Sequence, residues 1–209
     1  MRRLFILSLL PLFFSSTLAL ADEQVRKLPA FNAINSKGPI SISLEAGKAQ
    51  TLSVKGSDTF LANLVTEVVN GELMVSLKDK NFKSTSGDPR ITITLPALRQ
   101  LKVEGAGDAT LRNIDGERID ISYQGAGSLT ASGKIKWLRL KAQGVGQIDT
   151  RELKAEHVDV EFEGIGTVKV YASDLLNAVV EGMGSLIYYG NPRTFHKSVQ
   201  GIGSVSAGK

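Results

Sequence analysis

Six Gly-x-Gly triplets recur through the second half of this chain. They are Gly105-Ala106-Gly107, Gly125-Ala126-Gly127, Gly144-Val145-Gly146, Gly164-Ile165-Gly166, Gly182-Met183-Gly184 and Gly201-Ile202-Gly203. Their first glycines are 20, 19, 20, 18 and 19 residues apart. A fixed period near 19 residues is the signature of a solenoid, in which one repeat cannot bury its apolar face alone and must stack on the next.

Counting back from each first glycine gives the local structure. Two residues before it stand Val103, Tyr123, Ala142, Phe162, Val180 and Val199; four before, Leu101, Ile121, Leu140, Val160, Ala178 and Lys197. Six before stand Arg99, Ile119, Leu138, Val158, Leu176 and Phe195. These columns are apolar except for lapses at the two ends, and the columns between them are mostly polar. Period two is a strand with one face buried. The alternation resumes after each triplet, so a repeat reads as strand, Gly-x-Gly, strand, turn, with no room for a helix. The fold expected is all-β: a right-handed parallel β-helix of about six coils of ~19 residues, preceded by a β-rich cap. At the spacing of paired strands the stack would be roughly 29 Å long.

Two glycines at every corner imply a backbone angle or a close approach that a Cβ would obstruct. The middle residue is apolar in all six triplets. Strict alternation would put it outside; a bend at the triplet would carry it inward, and the inward position is the expectation. The residue just before each triplet is Glu104, Gln124, Gln143, Glu163, Glu181 or Gln200. This column reads as a stacked polar ladder of amides and carboxylates. A cation stripe at the adjacent Glu163 and Glu181 is the alternative, since like charges on neighbouring strands repel.

Residues 1–21 read as a secretory signal. Arg2 and Arg3 form a basic start, Leu4 to Phe14 an apolar run, and Ala19-Leu20-Ala21 a small-x-small cleavage site. No cysteine lies near that site, which excludes a lipid anchor of the lipoprotein type. Removing two arginines from 25 basic residues leaves 23 against 21 acidic ones, a charge of +2, so nucleic-acid binding is not expected. With no cysteine in the chain, disulfides, thiol catalysis and cysteine metal sites are excluded. The chain is expected in a bacterial periplasm or on the cell surface, with no integral membrane segment once the signal is removed.

Residues 22–29 form a polar leader. Residues 30–96 alternate in short strands but do not follow the 19-residue rule, and are read as a cap on the first coil of the solenoid at 97–209. Asn70-Gly71 marks a hairpin. Asp58 would cap one helical turn through about Asn63. Residues 78–90 are a polar surface loop in which Lys78, Lys80, Lys83 and Arg90 are offset by Asp79 and Asp88.

The strand Phe31-Asn32-Ala33-Ile34, the hairpin Glu67-Val68-Val69-Asn70-Gly71-Glu72-Leu73 and the Gly-x-Gly coils together resemble the putative auto-transporter adhesin, head GIN domain family. The resemblance covers about residues 29–208. It implies an exported, β-helical bacterial domain with an adhesin-type role, and its motifs speak for architecture rather than chemistry.

Signals for chemistry are few. A dinucleotide fingerprint needs a third glycine and a following helix, and a strand follows each triplet instead. His157 and His196 are on different coils and read as solvated, and no metal or cofactor is expected. A carbohydrate-active β-helix would need clustered groups on one face; Asp120, Arg139, Asp159 and Glu161 are the candidates, spread over three coils. Tyr188, Tyr189 and Arg193, in the turn that runs to His196, are candidate ligand contacts, the alternative being aromatics folded over the solenoid edge. Trp137, among Lys134, Lys136 and Arg139, is a second patch. The expected function is a non-enzymatic adhesin or binding scaffold, with a surface glycan or an envelope protein as partner. The alternatives are an envelope accessory protein docking through its C-terminal coil edge, which could also join two copies, and a carbohydrate-active enzyme.

Overall fold

The structure is a computed structural model that describes residues 23–79 and 89–209. The expected signal at 1–21 lies outside the described residues, as do Lys80, Lys83 and Asp88 of the expected loop. The elements are β1 (Glu23–Val25), β2 (Ala33–Lys37), β3 (Ser41–Ala46), β4 (Thr51–Lys55), α1 (Asp58–Asn63), β5 (Leu64–Val69), β6 (Glu72–Leu77), β7 (Arg90–Leu95), β8 (Gln100–Ala106), β9 (Ala109–Tyr189), β10 (Thr194–Gly201) and β11 (Ser204–Ala207). The fold is all-β. The strands form one open sheet in the order β1-β4-β7-β3-β9-β8-β2-β6-β5, with β10 and β11 both on β9.

Most of the repeat region is β9, an extended run of 81 residues that contains four of the triplets. It pairs in parallel at both ends, one period out of step. Gly105 of β8 lies opposite Gly125, Gly201 of β10 opposite Gly182, and Ser204 of β11 opposite Ser185. Within β9, side-chain hydrogen bonds such as Lys141 to Glu161 and Asn177 to Asp159 cross the same interval. The inward columns form the core: Ile119, Leu138, Val158 and Leu176, then Ile121, Leu140, Val160 and Ala178, then Tyr123, Ala142, Phe162 and Val180 are all buried. In the last repeat Lys197 and Val199 are exposed, because β10 pairs with β9 alone among the described strands.

Part of the N-terminal region joins the repeats in register, although residues 30–96 do not follow their 19-residue spacing. β2 pairs in parallel with β8, bringing Lys37 opposite Glu104, and β3 pairs in parallel with β9, bringing Ile42 opposite Ala109. Residues 33–46 are therefore a layer in the register of the repeats, with Gly38-Pro39-Ile40 in the place of a triplet. Next in the stack, β6 pairs with β2 and β7 with β3, again in parallel. Antiparallel strands then close this end, β5 on β6, β4 on β7 and β1 on β4, so the expected leader supplies β1. The period hides this layer because only the first glycine is kept and an excursion over residues 47–99 separates β3 from β8.

The hairpin at Asn70-Gly71 joins β5 to β6 with φ of 52° and 77°, the doubly positive turn that suits right-twisted strands. The cap of α1 is Ser57 rather than Asp58: its Oγ accepts from the Phe60 N–H at 3.3 Å, and Asp58 is the first helical residue. The helix buries Phe60. Among the described residues no helix is long and apolar enough to cross a membrane.

Candidate functional site

The triplets stack glycine on glycine. A Cβ placed on Gly125 would fall on the backbone of Gly105, one on Gly144 on that of Gly125, and one on Gly164 on that of Gly144. Gly125 has φ of +145°, which L side chains rarely adopt. The glycines thus let successive backbones meet in a positive-φ conformation that other residues rarely adopt. The space inside is taken by rings: the Tyr123 hydroxyl donates to the Gly107 carbonyl at 2.7 Å, and a Cβ on Gly184 would meet the Phe162 ring.

The middle residue therefore faces outward, which overturns the inward expectation. Val145, Ile165, Met183 and Ile202 are 56%, 47%, 58% and 85% exposed, and Ala106 and Ala126 are exposed beside them. They form an apolar crest that widens from two alanines near the N-terminal layers to bulky side chains at the other end. Its flanks are polar. On one side the Gln124 amide donates to Gln143 at 2.6 Å, the Gln143 amide donates to Glu163 at 2.8 Å, and Glu104 pairs with Lys37 at 3.1 Å. Gln200 lies opposite Glu181 in the same column. On the other side the Ser128 hydroxyl donates to Asp108 at 2.6 Å, and Ser204 bonds to Ser185 at 3.2 Å. Within the six repeats neither flanking column contains Lys or Arg; Lys37, opposite Glu104, continues one of them into the N-terminal layer.

The expected ligand contacts separate into two places. Trp137, 40% exposed, stacks on His157 with ring centroids 4.3 Å apart. His157 is half-buried rather than solvated, because its ring lies under that indole. Its Nε2 is 3.8 Å from Asp174, whose other oxygen is 3.7 Å from Arg193 Nε. His196 is exposed, as expected. The tyrosines belong elsewhere. Tyr188 packs against Phe195 at 4.7 Å, and the Arg151 guanidinium lies 5.5 Å from the centre of the Tyr189 ring.

Sequence reasoning missed the group around Tyr189. Arg112, Ser132, Arg151, Tyr171 and Tyr189 each stand seven residues after a first glycine, so the column was available to be read. Asp149 accepts from Arg151 Nε at 2.9 Å and from Nη2 at 2.7 Å. Burial pushes the Asp149 carboxyl up, but the side chain and backbone N–H of Arg151, with Lys169 nearby, hold it below the usual range. The same bond, then Tyr189, raises Arg151 above the ordinary guanidinium value. Lys154 Nζ sits 4.4 Å over the Tyr171 ring. Arg151, Glu152, Lys154, Tyr171, Tyr189 and Asn191 line a cleft of about 380 Å³.

The residues considered for glycan cleavage are engaged in pairs. Asp120 accepts from Arg118 at 2.9 Å, Asp159 from Asn177 at 2.7 Å and Glu161 from Lys141 at 3.0 Å, while Arg139 is exposed. Asp120 also borders a groove of about 530 Å³ with Arg99, Asp115, Glu117 and Arg118. Among the described residues no three His, Asp or Glu side chains converge as a metal site.

Comparison with known proteins sets this geometry in a family. The profile described as putative auto-transporter adhesin, head GIN domain matches residues 30–192. A crystal structure of a putative adhesin from Bacteroides fragilis is similar over 89% of this chain and 96% of its own, at 24% identity and a TM-score of 0.64. A putative lipid binding protein from Parabacteroides distasonis is similar over 90% and 96%, at 22% identity and a TM-score of 0.50. At these identities the likeness is one of fold. No curated protein matches the chain. The span of the profile match decides the affiliation: this chain belongs to the putative auto-transporter adhesin, head GIN domain family.

Proposed function

We propose that the chain is an exported, non-enzymatic binding scaffold of adhesin type, at work in the periplasm or on the surface of a bacterium. In this reading the parallel pairing one period out of step winds β8 to β11 into a right-handed β-solenoid of about six coils of ~19 residues. The N-terminal strands cap it, and residues 1–21 direct export. The observation that carries the reading is the crest: an unbroken row of apolar side chains held outward by paired glycines, over a core already filled beneath it. Such a row contributes nothing to the core and is suited to contact with another surface. Along the six triplets its flanks carry Glu104, Asp108, Glu163 and Glu181 and no basic residue, and Lys37, one layer beyond, is paired with Glu104; this disfavours an anionic lipid surface and leaves a glycan or an envelope protein as partner.

The test is binding by the purified chain to panels of bacterial and host glycans and of extracellular proteins. The expected result is retention on at least one class, reduced roughly tenfold or more in an Ile165→Gln/Met183→Gln variant that keeps its melting temperature. Turnover of any polysaccharide, or retention unchanged by the variant, would overturn the reading. One observation favours a second role: β10 and β11 each pair with β9 alone among the described strands. Such an edge can accept another strand, from an accessory partner or a second copy. Light scattering of the wild type against a Val205→Lys variant would show whether it does.

A further inference from the structure

We infer that the cleft beside Tyr189 is a binding site for an acidic saccharide, taken through the carboxylate of a uronic-acid-type sugar. The inference rests on the binding-scaffold reading and places a second contact on a different face from the crest. Three features carry it. First, the cleft of about 380 Å³ is within the size range of ligand pockets, roughly 300–1,000 Å³. Second, Arg151 is already oriented. Asp149 engages Nε and Nη2, so Nη1 takes no part in that fork and the guanidinium plane is fixed before any ligand arrives. Lys154, tethered to the Arg151 carbonyl at 2.8 Å and lying over Tyr171, adds a second cation on the same wall.

Third, apart from Lys209, a further cation at the rim, the remaining polar lining is of the kind that matches sugar hydroxyls. Tyr171 and Tyr189 offer half-buried rings ending in hydroxyls, Asn191 offers an amide, and Glu152 is an acceptor for ring hydroxyls. Glu152, whose Oε2 lies 3.7 Å from Lys154 Nζ, also decides between anions: a phosphate, with more charge, would meet more repulsion from it, whereas one sugar carboxylate on Arg151 and Lys154 leaves the other Glu152 oxygen to accept from a neighbouring hydroxyl. Asp149 balances part of the charge of Arg151, so the cleft favours a weakly charged, hydroxyl-rich ligand over a dense polyanion.

The experiment is isothermal titration of the purified full chain with a galacturonic acid tetramer, its fully methyl-esterified counterpart and inorganic tripolyphosphate. The acidic tetramer is expected to bind, with affinity falling as salt rises, while the ester and tripolyphosphate bind at least tenfold more weakly. Lys154→Gln, at an exposed position, is expected to weaken the tetramer roughly tenfold and leave the melting temperature unchanged; Arg151→Gln is expected to do at least as much. Equal binding of acid and ester, stronger binding of tripolyphosphate, or tetramer binding untouched by Lys154→Gln would overturn the inference. If the titration fails in one of these ways while the panels above still show retention, the scaffold reading stands and only the cleft falls; if the wild type is retained on no panel and does not bind the tetramer, both fall.

Discussion

Residues 33–46 and the repeats from 100 onward lie in one register, yet they are closed in different ways. In the repeats each layer rests on another of its own kind, and the first glycine of every triplet meets a glycine of the layer before it. At Gly38 the next layer is the β6 side, where a Cβ would meet Leu77 Cδ1 at an ordinary 3.5 Å. The N-terminal layers are also bound by an inserted hairpin, a helix and antiparallel strands, whereas the repeats are held almost wholly by copies of themselves. Regularity thus concentrates demand on a few backbone positions, and irregularity spreads it over side chains.

The largest expected effect separates the two at equivalent glycines. Gly125→Ala combines a φ of +145° with collision against the Gly105 backbone, and should cost about 2–6 kcal/mol. Gly38→Ala, at a φ of +120° but without collision, should cost only about 1–3 kcal/mol. Urea unfolding of both variants checks the ranking. Equal losses would mean that backbone strain alone, not stacking, fixes these positions.

The next contrast lies in how each region holds a structural arginine. Arg26 donates to the Leu64 and Leu61 carbonyls at 3.0 and 3.1 Å and to Thr66 Oγ1 at 2.9 Å, and its burial lowers its pKa. Its fixed acceptors here are uncharged, so Arg26→Gln should cost about 1–3 kcal/mol at any pH from 3 to 8. Arg151 is instead held by a carboxylate. Because the folded state keeps Asp149 below its unfolded value, that contribution is full above about pH 4 and is lost as pH falls through the folded value. Asp149→Asn should therefore lower stability by under about 1 kcal/mol at pH 7 and hardly at all near pH 2, the group being partly exposed. Unfolding midpoints of wild type and variant at both pH values give the difference directly; a gap that widens in acid would reverse the sign.

Much of this contrast could be read from the residues, and the parts that could not share a cause. The columns ending in Val103, Tyr123, Ala142, Phe162 and Val180 announce their burial by alternation alone. Asn70-Gly71 announces its turn by chemistry. Glycine, by contrast, carries no hydropathy, so the pattern does not say whether the pleat continues through Gly-x-Gly; that depends on a positive φ visible only in the backbone. The layer at 33–46 escaped for a related reason, since one retained glycine and a long excursion leave no period to detect. The stacking of His157 under Trp137, and of Tyr189 beside Arg151, depends on side chains from different repeats leaning along the stack. Spacing within one repeat does not encode that lean.

The smallest expected effect bears most directly on the crest. Were Ile165 inside, Ile165→Gln would remove apolar burial and place an amide without partners in the core, at a cost of several kcal/mol. Facing outward at 47% exposure, the same change should move stability by no more than about 0.5 kcal/mol. Leu138→Ala, fully buried in the same sheet, supplies the contrast and should cost about 2–5 kcal/mol. A near-silent Ile165→Gln beside a damaging Leu138→Ala means that the crest serves something other than the fold. If Ile165→Gln were as damaging as Leu138→Ala, the outward column would be part of the core and would have no surface left to offer a partner.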